Sequence, residues 1–294
     1  MAQVHNMATA DGLLRGAWEV HVHSSPDSTP RSVDDVELVT QARDAGLAGL
    51  VLKCHNNPTT GRAYILEKLF PPIRVFGSVC LNGYTGGINP EAAEVAIKMG
   101  AKVVWMPTVS ALNQHRFAEQ KPEIRHVGGG TRSAGITVFQ NDGRLKPEAL
   151  EVFALVRDAD VVLSTGHLSA EETVAVAREA RKMGVKRVLL SHPDSPMVGV
   201  PVAAQQELAA LGCYFDRCYA VIMSRIAPIT LERQLEIIRQ VGVETTILTS
   251  DYGQPHNPKP VDGFREYLGR LLGLGVTTRE IETMVKKNPE QLLL

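Results

Sequence analysis

The chain repeats one alternation: a short run rich in apolar and β-branched residues, then a longer segment whose apolar positions recur every three or four residues. The short runs cover residues 16–23, 47–53, 74–80, 102–106, 160–165, 187–191, 212–215 and 244–249, and their length and composition predict eight β-strands. Between them, 32–45, 60–69, 90–99, 147–157, 170–183, 202–210, 230–240 and 261–272 read as amphipathic helices. Gly46, Gly100 and Gly184 each follow a helix pattern as a carboxyl-terminal stop signal and open the next strand. Residues 278–294 read as a closing helix. Strand and helix alternate without a GxGxxG turn after the first strand, which predicts an α/β fold: a single (β/α)8 TIM barrel over 1–294 rather than an open nucleotide-binding sheet.

One interval breaks the rhythm. Residues 108–146 hold Gly128-Gly129-Gly130, an alternating stretch at 136–139 and the tight-turn signal Asn141-Asp142-Gly143. They read as a loop followed by a small hairpin, inserted after the fourth strand and lying over the carboxyl face of the barrel as part of a lid. Arg116 and His126 in this insertion are candidate contacts for an anionic or polar substrate group.

The polar residues that matter stand where the apolar runs stop. Glu19-Val20-His21-Val22-His23 ends the first run, His167 follows the fifth, His192 the sixth and Asp251 the eighth. Alternate residues of a strand share a face, so His21 and His23 stand about 6.5–7 Å apart along one side and can close on one cation. Strand order places all five on one rim of a parallel barrel. Neutral imidazole and carboxylate suit zinc and similar divalent ions, with manganese or iron(II) as alternatives, and a gathering of this kind is improbable by accident in a chain with nine histidines.

At 294 residues, with 44% hydrophobic and 21% charged positions and a formal charge of -1, the chain has the make-up of a globular enzyme. No basic run or positive net charge argues for nucleic acid or an anionic membrane as partner, and no segment approaches the roughly 20 apolar residues of a membrane span. A small-molecule substrate is the expected partner. The first fifteen residues lack a secretory signal pattern, and Cys54, Cys80, Cys213 and Cys218 form no CxxC pair. The expectation is a cytoplasmic enzyme with reduced cysteines, and homo-oligomerisation is the base-rate expectation for such a barrel.

These positions resemble the amidohydrolase superfamily of metal-dependent barrel hydrolases, close in plan to its phosphotriesterase-like branch, and the likeness spans nearly the whole chain. In that superfamily an HxH pair from strand one, one histidine each from strands five and six, and an aspartate from strand eight hold one or two metal ions. The matching positions are His21, His23, His167, His192 and Asp251. Asn288-Pro289 resembles the element that introduces the superfamily's final helix. The stretches 19–27, 52–55 and 250–252 resemble more closely a family of uncharacterised barrel hydrolases.

The chain also departs from the pattern. Binuclear members often bridge their metals with a carboxylated lysine ending strand four, whereas here that strand ends Val104-Trp105-Met106-Pro107. Lys53, ending strand two, is the available substitute, either carboxylated as a metal ligand or unmodified and in contact with substrate. His55 is an extra ligand or a substrate contact, Arg62 and His256 are further substrate-binding candidates, and Glu19 is positioned to brace a ligand histidine.

The resemblance implies a hydrolase in which a metal-activated hydroxide attacks an amide, cyclic amide, lactone or other ester bond of a small molecule, with Asp251 as the catalytic proton carrier. The same ligand set also serves a mononuclear decarboxylase or a phosphoesterase, and a non-catalytic metal-binding barrel is the remaining reading. No GxSxG elbow supports a serine nucleophile.

Overall fold

A computed structural model describes residues 2–121, 135–224 and 228–294. Its strands are β1 (Trp18–His23), β2 (Gly49–Lys53), β3 (Arg74–Cys80), β4 (Ala101–Trp105), β5 (Val162–Ser164), β6 (Val188–Leu190), β7 (Tyr214–Cys218) and β8 (Thr246–Thr249). Each pairs in parallel with the next in sequence order. The ring closes between β8 and β1: the Asp251 N–H donates to the His21 carbonyl at 2.9 Å and the His23 N–H to the Tyr252 carbonyl at 2.8 Å. The predicted (β/α)8 barrel is the observed fold.

The helices sit where the periodicity places them, because their ends carry explicit signals. Asp34 and Glu37 form a capping box at the start of helix Asp35–Asp44, Ser169 and Glu172 do so for Ala170–Lys182, and Pro90, Pro147 and Pro260 occupy first-turn positions. Two departures stand out at the ends of the chain. A helix over Ala2–Leu14, absent from the predicted pattern, packs on Pro260–Gly273, with Asp11 paired to Arg265 at 2.5 Å. The closing helix is not continuous: a π-helical turn at Thr283–Lys287 separates Thr278–Glu282 from Asn288–Leu293. Pro289 has no N–H to give the ladder, and the Asn288 amide instead holds the Val243 and Thr246 carbonyls at 2.7 and 2.6 Å, pinning this helix to the start of β8.

The insertion also differs from a plain loop and hairpin. Its first part is a helix, Leu112–Gln120, and its last part turns through Asn141-Asp142-Gly143 with a single antiparallel bridge between Phe139 and Leu145. His126 lies outside the described residues. No helix among the described residues is long and apolar enough to cross a membrane.

Inside the barrel the side chains form layers. Trp18, Val20, Val51, Val103, Val162, Leu189 and Ile247 pack together, plugged from the amino end by Leu292 and Leu293, while Leu50, Leu52, Leu163 and Leu248 face outward against the helices. Strand β1 breaks this simple alternation. Its pairing with β2 shifts register between Glu19 and Val22, so Val20 and His21 both project inward while Val22 packs outside. A bulge of this kind re-aims side chains near a functional site, and here it brings His21 and His23 to the carboxyl end above a sealed apolar layer.

Candidate metal centre and active site

The layer above the apolar plug is polar and buried. Ser164 and Ser191 share a hydrogen bond at 2.7 Å, and the Ser191 hydroxyl accepts the Gly166 N–H at 3.0 Å, fixing the turn that carries His167. That turn requires glycine: at Gly166 φ is +62°, and a Cβ would lie 2.3 Å from the Met106 carbonyl oxygen. The Gly253 turn is equally tight, since a Cβ there would meet the His23 carbonyl oxygen at 2.2 Å. His192 and Asp251 themselves adopt φ of 28° and 50°, left-handed conformations that cost on the order of 1–3 kcal/mol each and cluster at functional sites.

These devices gather the expected residues. Asp251 Oδ1 lies 3.0 Å from His21 Nε2 and 3.1 Å from His23 Nε2, and Lys53 Nζ lies 2.7 Å from the same His21 nitrogen. Ring centroids are 6.0 Å apart for His21 and His192, 5.0 Å for His192 and His167, 5.8 Å for His167 and His55, and 4.8 Å for His55 and His23. Five imidazoles therefore form one connected cluster, two of them in contact with the Asp251 carboxylate.

The protonation states suit a cation. Burial, followed by the Arg31 charge, pushes His23 down to about 3; burial takes His192 to about 4 and holds His55 and His167 well below the usual imidazole range. These rings are neutral and keep a lone pair. Burial also opposes a proton on His21, but the Asp251 carboxylate, with Asp216 behind the ring, raises its pKa. The negative potential that favours this proton favours a metal ion in its place. Asp251 is half-buried, and its withdrawal from water alone would raise its pKa, yet His21 and His23 hold it ionised.

Three details bear on the fit of a divalent ion. Asp251 Oδ1 lies 3.0–3.1 Å from two Nε2 atoms, so a carboxylate oxygen and two imidazole nitrogens face one point. His23 Nδ1 and His192 Nδ1 are buried without a hydrogen-bond partner among the described residues. His21, Cys218 and Asp251 also bring donor atoms within 4.8 Å of one another. Cys218 is the poorer donor, because its Sγ lies 3.6 Å from His21 Nδ1, behind the ring, and burial with two nearby carboxylates holds its thiol protonated. The imidazole and carboxylate set fits a divalent cation.

Several partners were not anticipated from the sequence. Asp216 on β7 meets His21 Nδ1 at 2.6 Å and accepts from the Thr249 hydroxyl at 2.5 Å, which directs His21 Nε2 toward Asp251. Gln114 Oε1 lies 2.9 Å from His167 Nδ1, and Thr108 Oγ1 2.9 Å from His55 Nδ1. Glu19 points outward among Leu38, Leu50 and Phe264, where it accepts the Ser250 and His21 backbone N–H groups and so clamps β1 to β8.

Above the centre opens a cavity of about 390 Å³, whose wall includes His23, His55, His167, His192, Asp251 and His256. Arg62 and Arg116 are not among its described lining residues. Arg62 bonds the Pro26 carbonyl at 2.5 Å and pairs with Asp35 at 3.3 Å. Arg116 is exposed on helix Leu112–Gln120, whose turn presents Gln114 and Phe117 to the cavity instead. Arg31, which the strand-end pattern did not pick out, does line the wall.

The barrel is a fold shared with several solved structures. It is similar to an amidohydrolase from Pseudomonas aeruginosa (TM-score 0.62, 12% identity, 98% of each chain covered) and to the probable dipeptidase PvdM of the same organism (TM-score 0.63, 11% identity, 98% of each chain). It is also similar to an organophosphorus hydrolase from Deinococcus radiodurans (TM-score 0.61, 14% identity, 97% of this chain and 94% of that one). At such identities the likeness is one of fold. Residues 16–216 match the model of a family of unknown function, DUF6282, and the chain belongs to that family. No curated protein matches the sequence.

Proposed function

We propose that this protein is a metal-dependent hydrolase that cleaves an amide, cyclic amide, lactone or other ester bond of a small molecule. The observation that carries this reading is the convergence of His21, His23, His167, His192 and Lys53 on Asp251 at the floor of the cavity. Similarity of fold to an amidohydrolase, a probable dipeptidase and an organophosphorus hydrolase supports it.

His21, His23, His167, His192 and Asp251 would hold the ion, with zinc the first choice for such donors. A bound divalent cation supplies Lewis acidity to a substrate oxygen and lowers the pKa of a bound water from about 16 to about 7. Asp251, held ionised, orients the attacking water through its carboxylate, accepts the proton and delivers it to the leaving nitrogen or oxygen. Asp216 keeps His21 in one orientation, and Gln114 does the same for His167. His55 and His256 on the cavity wall contact the substrate. Lys53, with Nζ beside His21 Nε2 and 4.4 Å from the Trp105 ring centre, would serve as a ligand if carboxylated and as a substrate contact if unmodified.

The test is a panel of aryl esters, lactones and N-acyl amino acids assayed with zinc-loaded and chelator-stripped protein. Turnover is expected only in the loaded form, and Asp251→Asn is expected to lower it about 10²–10⁴-fold with the fold intact. Equal turnover in stripped protein, or an Asn variant as active as the parent, would refute the proposal.

A further inference from the structure

Two charged side chains stand out in the described cavity wall: Asp251 at the metal centre, and Arg31. Arg31 is set into the wall, with only 5% of its side chain exposed, and its Nε and Nη2 both donate to Asp27 Oδ2, at 3.0 and 2.8 Å. Asp27 is itself fully enclosed and fixed by the Thr29 N–H at 3.1 Å and the Cys54 thiol at 3.6 Å. The loop is tied to the far side of the site, where the Ser32 N–H bonds the Gly253 carbonyl at 2.8 Å, two residues beyond Asp251. The guanidinium is thus preorganised, at a fixed place relative to the catalytic carboxylate.

A guanidinium carries five N–H donors in a planar fork and can serve two carboxylates on different edges. Asp27 takes the Nε and Nη2 edge, and among the described residues no hydrogen bond engages Nη1, which leaves it for a ligand of the cavity that Arg31 lines. Around it the wall is largely apolar, with Pro30, Val109, Phe117, Met197, Val221 and Pro255. Such surroundings strengthen a charge-assisted hydrogen bond and favour a ligand with an apolar body.

We propose that Arg31 anchors a carboxylate of the substrate, so that the cavity takes small, carboxylate-bearing molecules with an apolar body. One guanidinium already half-committed to Asp27 matches a single negative charge rather than a phosphate dianion. Combined with the hydrolase reading, on which this part rests, the substrate class is an amide or ester that carries a carboxylate away from the scissile bond. Arg31 is a binding residue in this proposal and takes no part in proton transfer.

The test measures binding, independently of turnover, by calorimetry with 3-phenylpropionate and its neutral analogue 3-phenylpropionamide, on zinc-loaded and chelator-stripped protein. The carboxylate is expected to bind about tenfold tighter than the amide in both forms. Arg31→Gln should remove that preference while leaving the amide's affinity unchanged. Because this variant leaves Asp27 buried and unpaired, the double variant Asp27→Asn, Arg31→Gln is measured alongside, with the same loss expected. Three results would overturn the proposal: a preference that vanishes on stripping zinc, a preference that survives in both variants, or no carboxylate binding by the parent protein. Each leaves the hydrolase reading standing, just as failure to find turnover would leave the binding result standing.

Discussion

Val51 and Lys53 leave one strand on the same side, two residues apart, as do Val162 and Ser164, Leu189 and Ser191, and Ile247 and Thr249. The first member of each pair belongs to a sealed apolar layer, and the second to a buried polar layer around Asp251. Both layers are closed to solvent and both rest on parallel strands, so burial alone does not separate them. What separates them is the direction of the strands. At their carboxyl ends the chain leaves the sheet in loops, and these loops bring His167, His192, Asp251 and Arg31 over the polar layer. At their amino ends it meets Leu292 and Leu293. The barrel thereby assigns stability to one layer and chemistry to the other.

Truncating the apolar layer should give the largest effect. Leu189→Ala is expected to cost about 2–5 kcal/mol in urea unfolding, with metal binding retained by the folded fraction. A loss below about 1 kcal/mol would show that this layer is not where stability resides. In the polar layer the order of effects reverses. Asp216→Asn preserves shape but removes the carboxylate behind His21, and should weaken zinc binding about 10–100-fold in a chelator competition, with the thermal midpoint shifted far less than by Leu189→Ala. Equal zinc affinity in parent and variant would take Asp216 out of the site.

The smallest effect is expected outside both layers. Glu280 pairs with Arg239 on the surface, and that guanidinium lowers its carboxyl from 4.5 to about 2. Because the folded-state pKa is depressed, the stabilisation is present above the unfolded value and fades as pH falls from 4.5 through about 2. Glu280→Gln should cost only about 0.5–1 kcal/mol at neutral pH, screened by salt, and almost nothing at the acid end. A larger loss would mean that the surface pair supports the barrel as strongly as its interior does.

The strands and most helices are legible in the sequence because each announces itself locally: β-branched runs such as Val103-Val104, a capping pair such as Ser169 and Glu172, a stop such as Gly184. The strand-end histidines are legible for the same reason, since polar residues ending apolar runs stand out. Residues whose meaning depends on a distant partner were not. The seventh apolar run reads as ending at Phe215, because Asp216 and Arg217 look like solvent-facing charges; both are buried, one against His21 and Thr249, the other against Asp194 and Gln205. The bulge in β1 leaves no mark in Glu19-Val20-His21, as register depends on pairing with β2. Arg31 reads as one more loop charge until Asp27 and the Gly253 carbonyl fix its place.

The central claim is that the polar layer and its loops hold a metal ion. Elemental analysis of zinc-reconstituted protein after gel filtration tests it most directly, comparing the parent with a His23→Gln, His192→Gln variant whose folding is checked by circular dichroism. The parent should carry about one or two equivalents of metal and the folded variant almost none. Equal metal content in the two proteins, or none in the parent, would contradict the account.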